Sequence, residues 1–335
     1  MSLSPTSSIG LLLQQPLTME QDGVVSKPIA VIASISMALL YVAVLYAPTL
    51  LLRLPPPSSF TNYMIRRFLC AVVSSIISLL ISALILPVQT KELFGVYGIR
   101  VDHIWQAVIF PLSLTSLMYA GYLFHKSLLL LDSWREHRSS GGSLSFASCK
   151  YFSQCFLAWL SAISSNVLVW RNYVVAPITE ELVFRAGMIP LLLCGGFRPY
   201  SVILLCPIFF SLAHLNHFME IYAKQNYRIK KAVMIIGLQL GYTVIFGSYA
   251  SFLFIRTGHL ISPLVAHIFC NFMGLPVLFS RRNGIVCIAF IMGFLGFLWL
   301  LFPMTEPHLY NDTIDNCSYW QGHCSWSQGI ERSSM

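Results

Sequence analysis

Two adjacent glutamates stand in a stretch of sequence that is otherwise almost free of charge. Glu180 and Glu181 follow Pro177, and Arg185 comes one helical turn after Glu181. Residues four apart share a helix face, so Glu181 and Arg185 are predicted to form an ion pair. Glu180 is rotated about 100° away and meets no basic residue on its own helix. The pattern predicts one clamped carboxylate and one able to act as a general base. An interfacial pair that reaches the lipid headgroups explains this short segment equally well.

Two other apolar segments carry polar side chains that lipid would not tolerate without partners. His214 stands late in the first segment, with His217 three residues further on, and His267 and Asn271 lie one helical turn apart in the second. Polar residues in three separate apolar segments are most economically explained by a shared cavity. We therefore expect these side chains to meet.

Two chemistries suit such a cavity. In the first, Glu180 and His214 hold and deprotonate a water molecule, while His267 and Asn271 stabilise an oxyanion. In the second, His214, His267 and a glutamate bind zinc, which activates the water. The second is weakly supported, because no HExxH motif is present and three helices would have to supply the ligands. A serine or cysteine nucleophile is less favoured, since Cys270 is aimed at most partly toward the site.

The composition indicates that membrane helices position these residues. Charged residues make up 10% of the 335, hydrophobic residues make up 56%, and the mean hydropathy is +0.70. So little charge excludes a soluble enzyme, a disordered chain and a coiled coil. The net charge of +8 does not indicate nucleic-acid binding, because the basic residues lie in short clusters between apolar runs. The lipid bilayer is the expected environment.

The apolar runs predict an all-α fold. A helix crosses the bilayer core with about 20 apolar residues. Runs without Asp, Glu, Lys or Arg cover residues 29–52, 68–90, 104–124, 151–170, 232–255, 257–280 and 284–305. Residues 199–219 predict a further span, and the proline- and glycine-containing segment 172–197 is either a full span or a re-entrant one. The prediction is a polytopic bundle of about eight transmembrane helices, eight or nine, with an intramembrane polar cavity.

Three parts of the chain are predicted. Residues 1–28 and 306–335 are polar segments, and residues 29–305 form a multi-pass membrane domain with its catalytic motifs in 176–274. The N-terminal segment lacks the cationic start of a cleaved signal peptide, so the first apolar run is expected to remain in the protein.

Charge in the loops predicts the orientation. Basic residues are in excess in the loops 53–67, 125–150, 220–231 and 281–282. If these loops face the cytosol, both termini lie on the other side. The sequons that begin at Asn311 and Asn316 are then open to glycosylation, and Cys317 and Cys324 share a polar segment where a disulfide can form.

Three motifs in a fixed order resemble a known family. They are GluGluxxxArg, PhexxxHis and HisxxxAsn, carried here by Glu180, Glu181, Arg185, Phe210, His214, His267 and Asn271. The ordered trio resembles the type II CAAX prenyl endopeptidases, most closely their eukaryotic Ras-converting branch, plant members included. Each motif alone is unspecific, but three in this order on successive helices are a strong signal. Many eukaryotic relatives carry a further histidine just after PhexxxHis, where this chain has Asn216 and His217.

The resemblance implies a glutamate-dependent intramembrane protease of the endoplasmic reticulum. Such enzymes remove the last three residues of CaaX proteins, small GTPases among them, after farnesylation or geranylgeranylation of the cysteine. It implies no cofactor and no metal.

The same resemblance implies a role for each motif residue. Glu180 and His214 activate the water, His267 and Asn271 form the oxyanion site, and Glu181 with Arg185 is a supporting pair.

Other functions stay open at this point. A non-proteolytic membrane scaffold and a proton-coupled transporter of related architecture are both compatible with buried Glu and His. A transporter is expected to show two related halves, and no such repeat is visible in this sequence.

Overall fold

The computed structural model describes residues 25–139, 164–274 and 284–311. All regular structure within these ranges is helical, as predicted. The helices are α1 (Lys27–Leu50), α2 (Phe60–Ile85), α3 (Leu93–Val96), α4 (Ile104–Met118), α5 (Ala120–Ser139), α6 (Val167–Trp170), α7 (Ala176–Glu181), α8 (Met188–Cys194), α9 (Pro199–Ala213), α10 (Phe218–Lys224), α11 (Ile229–Thr257), α12 (Ile261–Met273) and α13 (Gly284–Leu300).

Some predictions fall outside the described ranges. They concern the first 24 residues, the loop 125–150 after Ser139, the span 151–170 up to residue 163, the 281–282 loop and the tail after Asn311, with Asn316, Cys317 and Cys324.

Several helices are suited to a bilayer. In the described part of the chain, α1, α2 and α11 are long and apolar enough to cross a membrane, and α4 with α5 makes a fourth if the bent pair counts as one span. Helices α9, α12 and α13 are apolar but shorter. The chain is therefore a polytopic helical membrane protein, although these helices do not establish the predicted number of eight.

The third predicted span, 104–124, is not one straight helix. Helices α4 and α5 meet at Tyr119 with a bend of 82°, and α5 continues to Ser139 through residues predicted as a loop. Tyr119 leaves the helical conformation, and its hydroxyl donates to the carbonyl oxygen of Gly274 at 2.8 Å. After the bend, Gly121 approaches Phe290 of α13 so closely that a Cβ atom would clash. The bend thus lets both helices pack on different neighbours.

Most of the segment with two alternatives, 172–197, belongs to one continuous run of helical residues that ends at Cys194. From Val167 to Cys194, α6, α7 and α8 are joined by π-helical turns at Arg171–Val175 and Leu182–Gly187. A run of 28 residues measures about 42 Å at the rise of an α-helix, which exceeds the thickness of the bilayer core.

Helix α8 is the centre of the core. All its side chains from Met188 to Leu193 are buried, packed against α1, α2 and α9. Serines of α2 face this helical run: Ser75 donates to the carbonyl oxygen of Thr179 at 3.2 Å, and Ser82 to that of Gly187 at 3.0 Å. Such bonds hold helices together in a membrane, where water is not available as a partner.

The helix that carries His267 is placed by a tight turn. Helix α11 ends at Gly258, whose φ of 67° lies in the left-handed region that favours glycine. The chain then reverses into α12, which packs against α4, where Ser262 donates to the carbonyl oxygen of Ala107 at 2.9 Å. Helix α12 is thereby fixed beside α7.

Candidate active site

Both glutamates lie on α7, a segment of only six residues between the two π turns. Pro177 comes just after the π turn Arg171–Val175 and, lacking an N–H, donates no hydrogen bond to a carbonyl group of that turn. Single π turns inside helices are frequent at functional sites. They set the direction of the side chains here, and sequence periodicity does not predict them.

The predicted ion pair is confirmed. Arg185 Nη1 lies 3.0 Å from Glu181 Oε1, and both side chains are fully buried. Arg185 Nη2 also donates to the carbonyl oxygen of Gly247 at 3.4 Å, and the guanidinium lies 5.0 Å from the centre of the Phe210 ring. A buried charge needs such compensation, because removing one partner leaves the other without solvation.

The Glu181 carboxylate has a second partner from another helix. His267 Nδ1 lies 2.7 Å from Glu181 Oε1, the oxygen that also accepts from Arg185. Because a carboxylate accepts, Nδ1 carries the proton, and the opposite nitrogen of the ring is turned away from Glu181. Glu181 therefore fixes the orientation of His267 and holds a proton on its Nδ1.

Glu180 points to a different place. Its side chain is 16% exposed, and Oε2 lies 3.7 Å from His267 Nε2, beyond hydrogen-bond distance. The basic side chain that faces Glu180 is therefore His267 on α12, as expected because the helix of Glu180 offers it no basic partner. The two adjacent carboxylates face opposite nitrogens of one imidazole ring. Glu181 is within hydrogen-bond distance of Nδ1, and Glu180 is beyond it from Nε2.

His214 is held by its own helix. It begins a 3₁₀ turn, His214–His217, at the end of α9. Its Nδ1 donates to the carbonyl oxygen of Phe210 at 2.9 Å, and the ring stands edge-on to the Phe210 ring with 4.7 Å between centroids. Since Nδ1 is the donor, Nε2 is the basic nitrogen. The spacing of the PhexxxHis motif thus has a structural reason.

Asn271 reaches the helical run of the glutamates. Its Nδ2 donates to the carbonyl oxygen of Asn172 at 2.8 Å. An amide nitrogen has two hydrogens, so this bond orients the side chain and leaves the second N–H for another acceptor. The sequence predicts that the side chains of His267 and Asn271 point toward one position. In the structure, His267 also contacts Glu181, and Asn271 contacts the carbonyl oxygen of Asn172.

A cavity of about 700 Å³ brings the predicted residues together. Glu180, His214, His267 and Asn271 all line it, and so does Cys270. Glu181 and Arg185 lie behind its wall. The remaining wall combines polar side chains with apolar ones, the latter including Val42, Leu45, Phe60, Met64, Phe68, Phe184, Phe210 and Phe246.

Sequence reasoning missed several polar residues of this cavity. Tyr41 lines it and forms a hydrogen bond of 3.0 Å with Thr179 Oγ1, next to Glu180. Nothing in the sequence distinguishes this tyrosine from the others in apolar helices. The other missed polar residues are Tyr63, Arg67, Arg171, Asn172, Lys224, Gln239, Tyr242 and Thr243. The basic ones resemble ordinary membrane-flanking charge.

The geometry does not favour the zinc alternative. Among the described residues, no three His, Cys, Asp or Glu side chains converge closely enough to hold a metal ion.

Comparison with known proteins agrees with the motifs. The family model described as type II CAAX prenyl endopeptidase Rce1-like matches residues 162–273, which include α6 to α12. No solved structure matches the chain significantly.

Similar proteins cover most of the sequence. The chain is 56% identical over 306 residues to CAAX prenyl protease 2 of Arabidopsis thaliana, covering 90% of this chain and 98% of that protein. It is 31% identical to CAAX prenyl protease 2 of Caenorhabditis elegans over 71% of this chain and 84% of that one. For the Homo sapiens protein of this name, the identity is 34% over 65% of this chain and 64% of that one. These matches, and the motifs gathered around one cavity, place the chain in the family of type II CAAX prenyl endopeptidases.

Proposed function

We propose that this protein removes the C-terminal aaX tripeptide from prenylated CaaX proteins. The single observation that carries the proposal is the cavity in which Glu180, His214, His267 and Asn271 meet. The similar proteins from Arabidopsis and other organisms, named CAAX prenyl protease 2, support the same reaction. A scaffold does not require this arrangement.

Glu180 and the basic Nε2 of His214 hold the water that attacks the carbonyl carbon of the prenylated cysteine. Glu180 takes a proton from this water as the new C–O bond forms. The tetrahedral intermediate then collapses, the C–N bond breaks, and the proton passes to the nitrogen of the leaving tripeptide. The products are a prenylcysteine carboxylate and a free tripeptide.

The negative charge on the former carbonyl oxygen is stabilised by the second N–H of Asn271 and by His267 Nε2–H. For His267 to donate from Nε2, its ring carries a proton on each nitrogen. The carboxylates on either side of the ring, at 2.7 Å and 3.7 Å, compensate that charge. Glu181 and Arg185 support this arrangement from behind.

The substrate arrives from the membrane. Its isoprenoid partitions into lipid, and the apolar wall of the cavity accommodates it while the peptide extends toward Glu180. We propose that the enzyme acts in the endoplasmic reticulum on small GTPase-like proteins. We also propose that residues 29–305 form its membrane domain, between the polar segments 1–28 and 306–335. Fractionation of cells that express a tagged chain tests the compartment.

The activity is tested with purified protein in liposomes and a farnesylated CaaX peptide. Mass spectrometry should detect the released tripeptide, and the same peptide without the farnesyl group should be a poor substrate. Intact farnesylated peptide after prolonged incubation would contradict the proposal and favour a scaffold or a transporter.

A further inference from the structure

The cavity carries more positive charge than hydrolysis requires. Three basic side chains line it, Arg67, Arg171 and Lys224, against one acidic side chain, Glu180. None of the three has a part in activating water or stabilising the oxyanion. They belong to different helical segments, so their meeting here is a property of the fold.

Arg67 is held in place by two tyrosines. Its Nη1 donates to the hydroxyl of Tyr63 at 3.2 Å, and its guanidinium lies 5.7 Å from the Tyr63 ring centre and 6.0 Å from that of Tyr46. The side chain is half-buried, and among the described residues no carboxylate pairs with it. Stacked and oriented in this way, a guanidinium can bind an incoming carboxylate through two parallel hydrogen bonds.

The adjacent arginine is different. Arg66 Nη1 donates to the carbonyl oxygen of Pro55 at 2.7 Å, and Arg66 does not line the cavity. Arg66 therefore ties down the loop before α2, whereas Arg67 faces the cavity. Arg66 and Arg67 are consecutive residues of the same helix, so a substitution of Arg66 is a matched control for the same substitution of Arg67.

The distance between Arg67 and the glutamates can be estimated along helix α2. Ser75 contacts the carbonyl oxygen of Thr179, next to Glu180, and Ala71 lines the cavity one turn closer to Arg67. Arg67 is eight residues from Ser75, about 12 Å along the helix axis. Three extended residues span about 10–11 Å. A tripeptide whose first bond lies at Glu180 therefore ends near Arg67.

We propose that Arg67 binds the α-carboxylate at the C-terminus of the aaX tripeptide. The inference rests on the proposed function and adds a recognition site for the end of the chain. Binding of the carboxylate at Arg67 fixes the distance between the C-terminus and the scissile bond, so that three residues are removed rather than two or four. Arg171 and Lys224 add positive potential to the same cavity.

The test compares two farnesylated peptides that differ only at the C-terminus, one a free acid and the other a primary amide. The unaltered full-length protein in neutral phosphatidylcholine liposomes should cleave the acid about 10- to 100-fold more efficiently in kcat/KM, the range expected for a charge-assisted hydrogen bond. Arg67→Gln should lower kcat/KM for the acid by that factor and leave the amide unchanged. Arg67→Lys should retain part of the preference, because it keeps the charge but not the planar fork.

Arg66→Gln is the control and should keep the full preference for the acid. Equal cleavage of both peptides by the unaltered protein would overturn the carboxylate site while leaving the proposed function intact. A parallel loss on both peptides in Arg67→Gln would also overturn it, since that result indicates a structural role or binding of a lipid phosphate. Failure of the unaltered protein to cleave either peptide would overturn the proposed function and this site with it.

Discussion

His267 Nδ1 lies 2.7 Å from Glu181 Oε1, so the histidine on α12 is oriented by the glutamate next to the proposed general base. The same oxygen accepts from Arg185 at 3.0 Å. Glu181 is therefore a junction between two helices as well as the partner of one arginine. Changes at this residue should affect folding and the geometry of His267 together.

Glu181→Gln should lower both stability and activity. It removes the negative charge and leaves Arg185 buried without a counter-ion, a loss that typically costs about 3–5 kcal/mol. We expect a lower melting temperature in detergent and slower cleavage. The double variant Glu181→Gln, Arg185→Met should regain melting temperature without regaining activity, because the neutral amide oxygen of Gln holds His267 Nδ1–H more weakly than the carboxylate does. A double variant that is fully active would contradict the role of Glu181 as an orienting residue.

Glu180→Gln should behave differently from its neighbour. The substitution keeps the shape but removes the basic oxygen, so cleavage of a farnesylated CaaX peptide should fall by at least about 10². The melting temperature should stay close to that of the unaltered protein, since Glu180 is partly exposed and makes no short ion pair. Near-normal turnover would remove Glu180 from the mechanism.

Asn271→Ala separates catalysis from helix packing. Loss of one oxyanion donor typically costs about 10²–10³ in kcat, while KM, dominated by the prenyl group, should change little. A hydrogen bond to the Asn172 carbonyl alone is worth about 0.6 kcal/mol in a membrane and would scarcely affect turnover. Asn271→Asp should be at least as damaging, because a carboxylate repels both the Asn172 carbonyl and the developing charge. Full turnover in Asn271→Ala would rule out the oxyanion role.

Removal of metal ions should leave the rate unchanged. We expect purified protein dialysed against a strong chelator to cleave the farnesylated peptide as before, and elemental analysis to find no stoichiometric zinc. Activity that is lost and then restored specifically by Zn²⁺ would instead make His214 and His267 ligands.

Asn311 should not carry a glycan, although it begins a sequon. Its Nδ2 donates to the carbonyl oxygen of Pro307 at 2.9 Å, and its Oδ1 accepts from Arg100. The nitrogen that would bear the sugar is thus engaged in the fold. Digestion with an N-glycosidase should shift the unaltered protein and Asn311→Gln on a gel by the same amount, while Asn311→Gln should melt at a lower temperature. A shift present in the first and absent from the second would show that Asn311 is modified.

Much of the fold could be predicted because lipid imposes simple rules. The absence of charge over about 20 residues locates membrane helices, and the starts of α1, α4 and α9 fall within a few residues of the predicted boundaries. The bend at Tyr119 could not be predicted, because it depends on contacts with Gly274 and α13 that are distant in the sequence. The π turns could not be predicted either, because hydrophobic periodicity assumes a regular helix.

For the site, sequence reasoning found the residues that are anomalous in lipid. Glu180, His214 and His267 stand out because an ionisable group in an apolar helix needs an explanation. Arg67 did not stand out, because a basic residue near the end of a span is ordinary. Only the three-dimensional arrangement shows that it shares a cavity with Glu180.

The two π turns on either side of α7 have a genetic consequence. Each turn contains one residue more than an α-helical turn needs. Loss of a single codon from Leu182–Gly187 keeps the reading frame but restores a regular helix, which rotates everything beyond it by about 100°. Such an in-frame deletion removes only one residue, yet it would turn α7, which carries both glutamates, relative to α8. Among functional homologues, alignment gaps should therefore avoid this stretch.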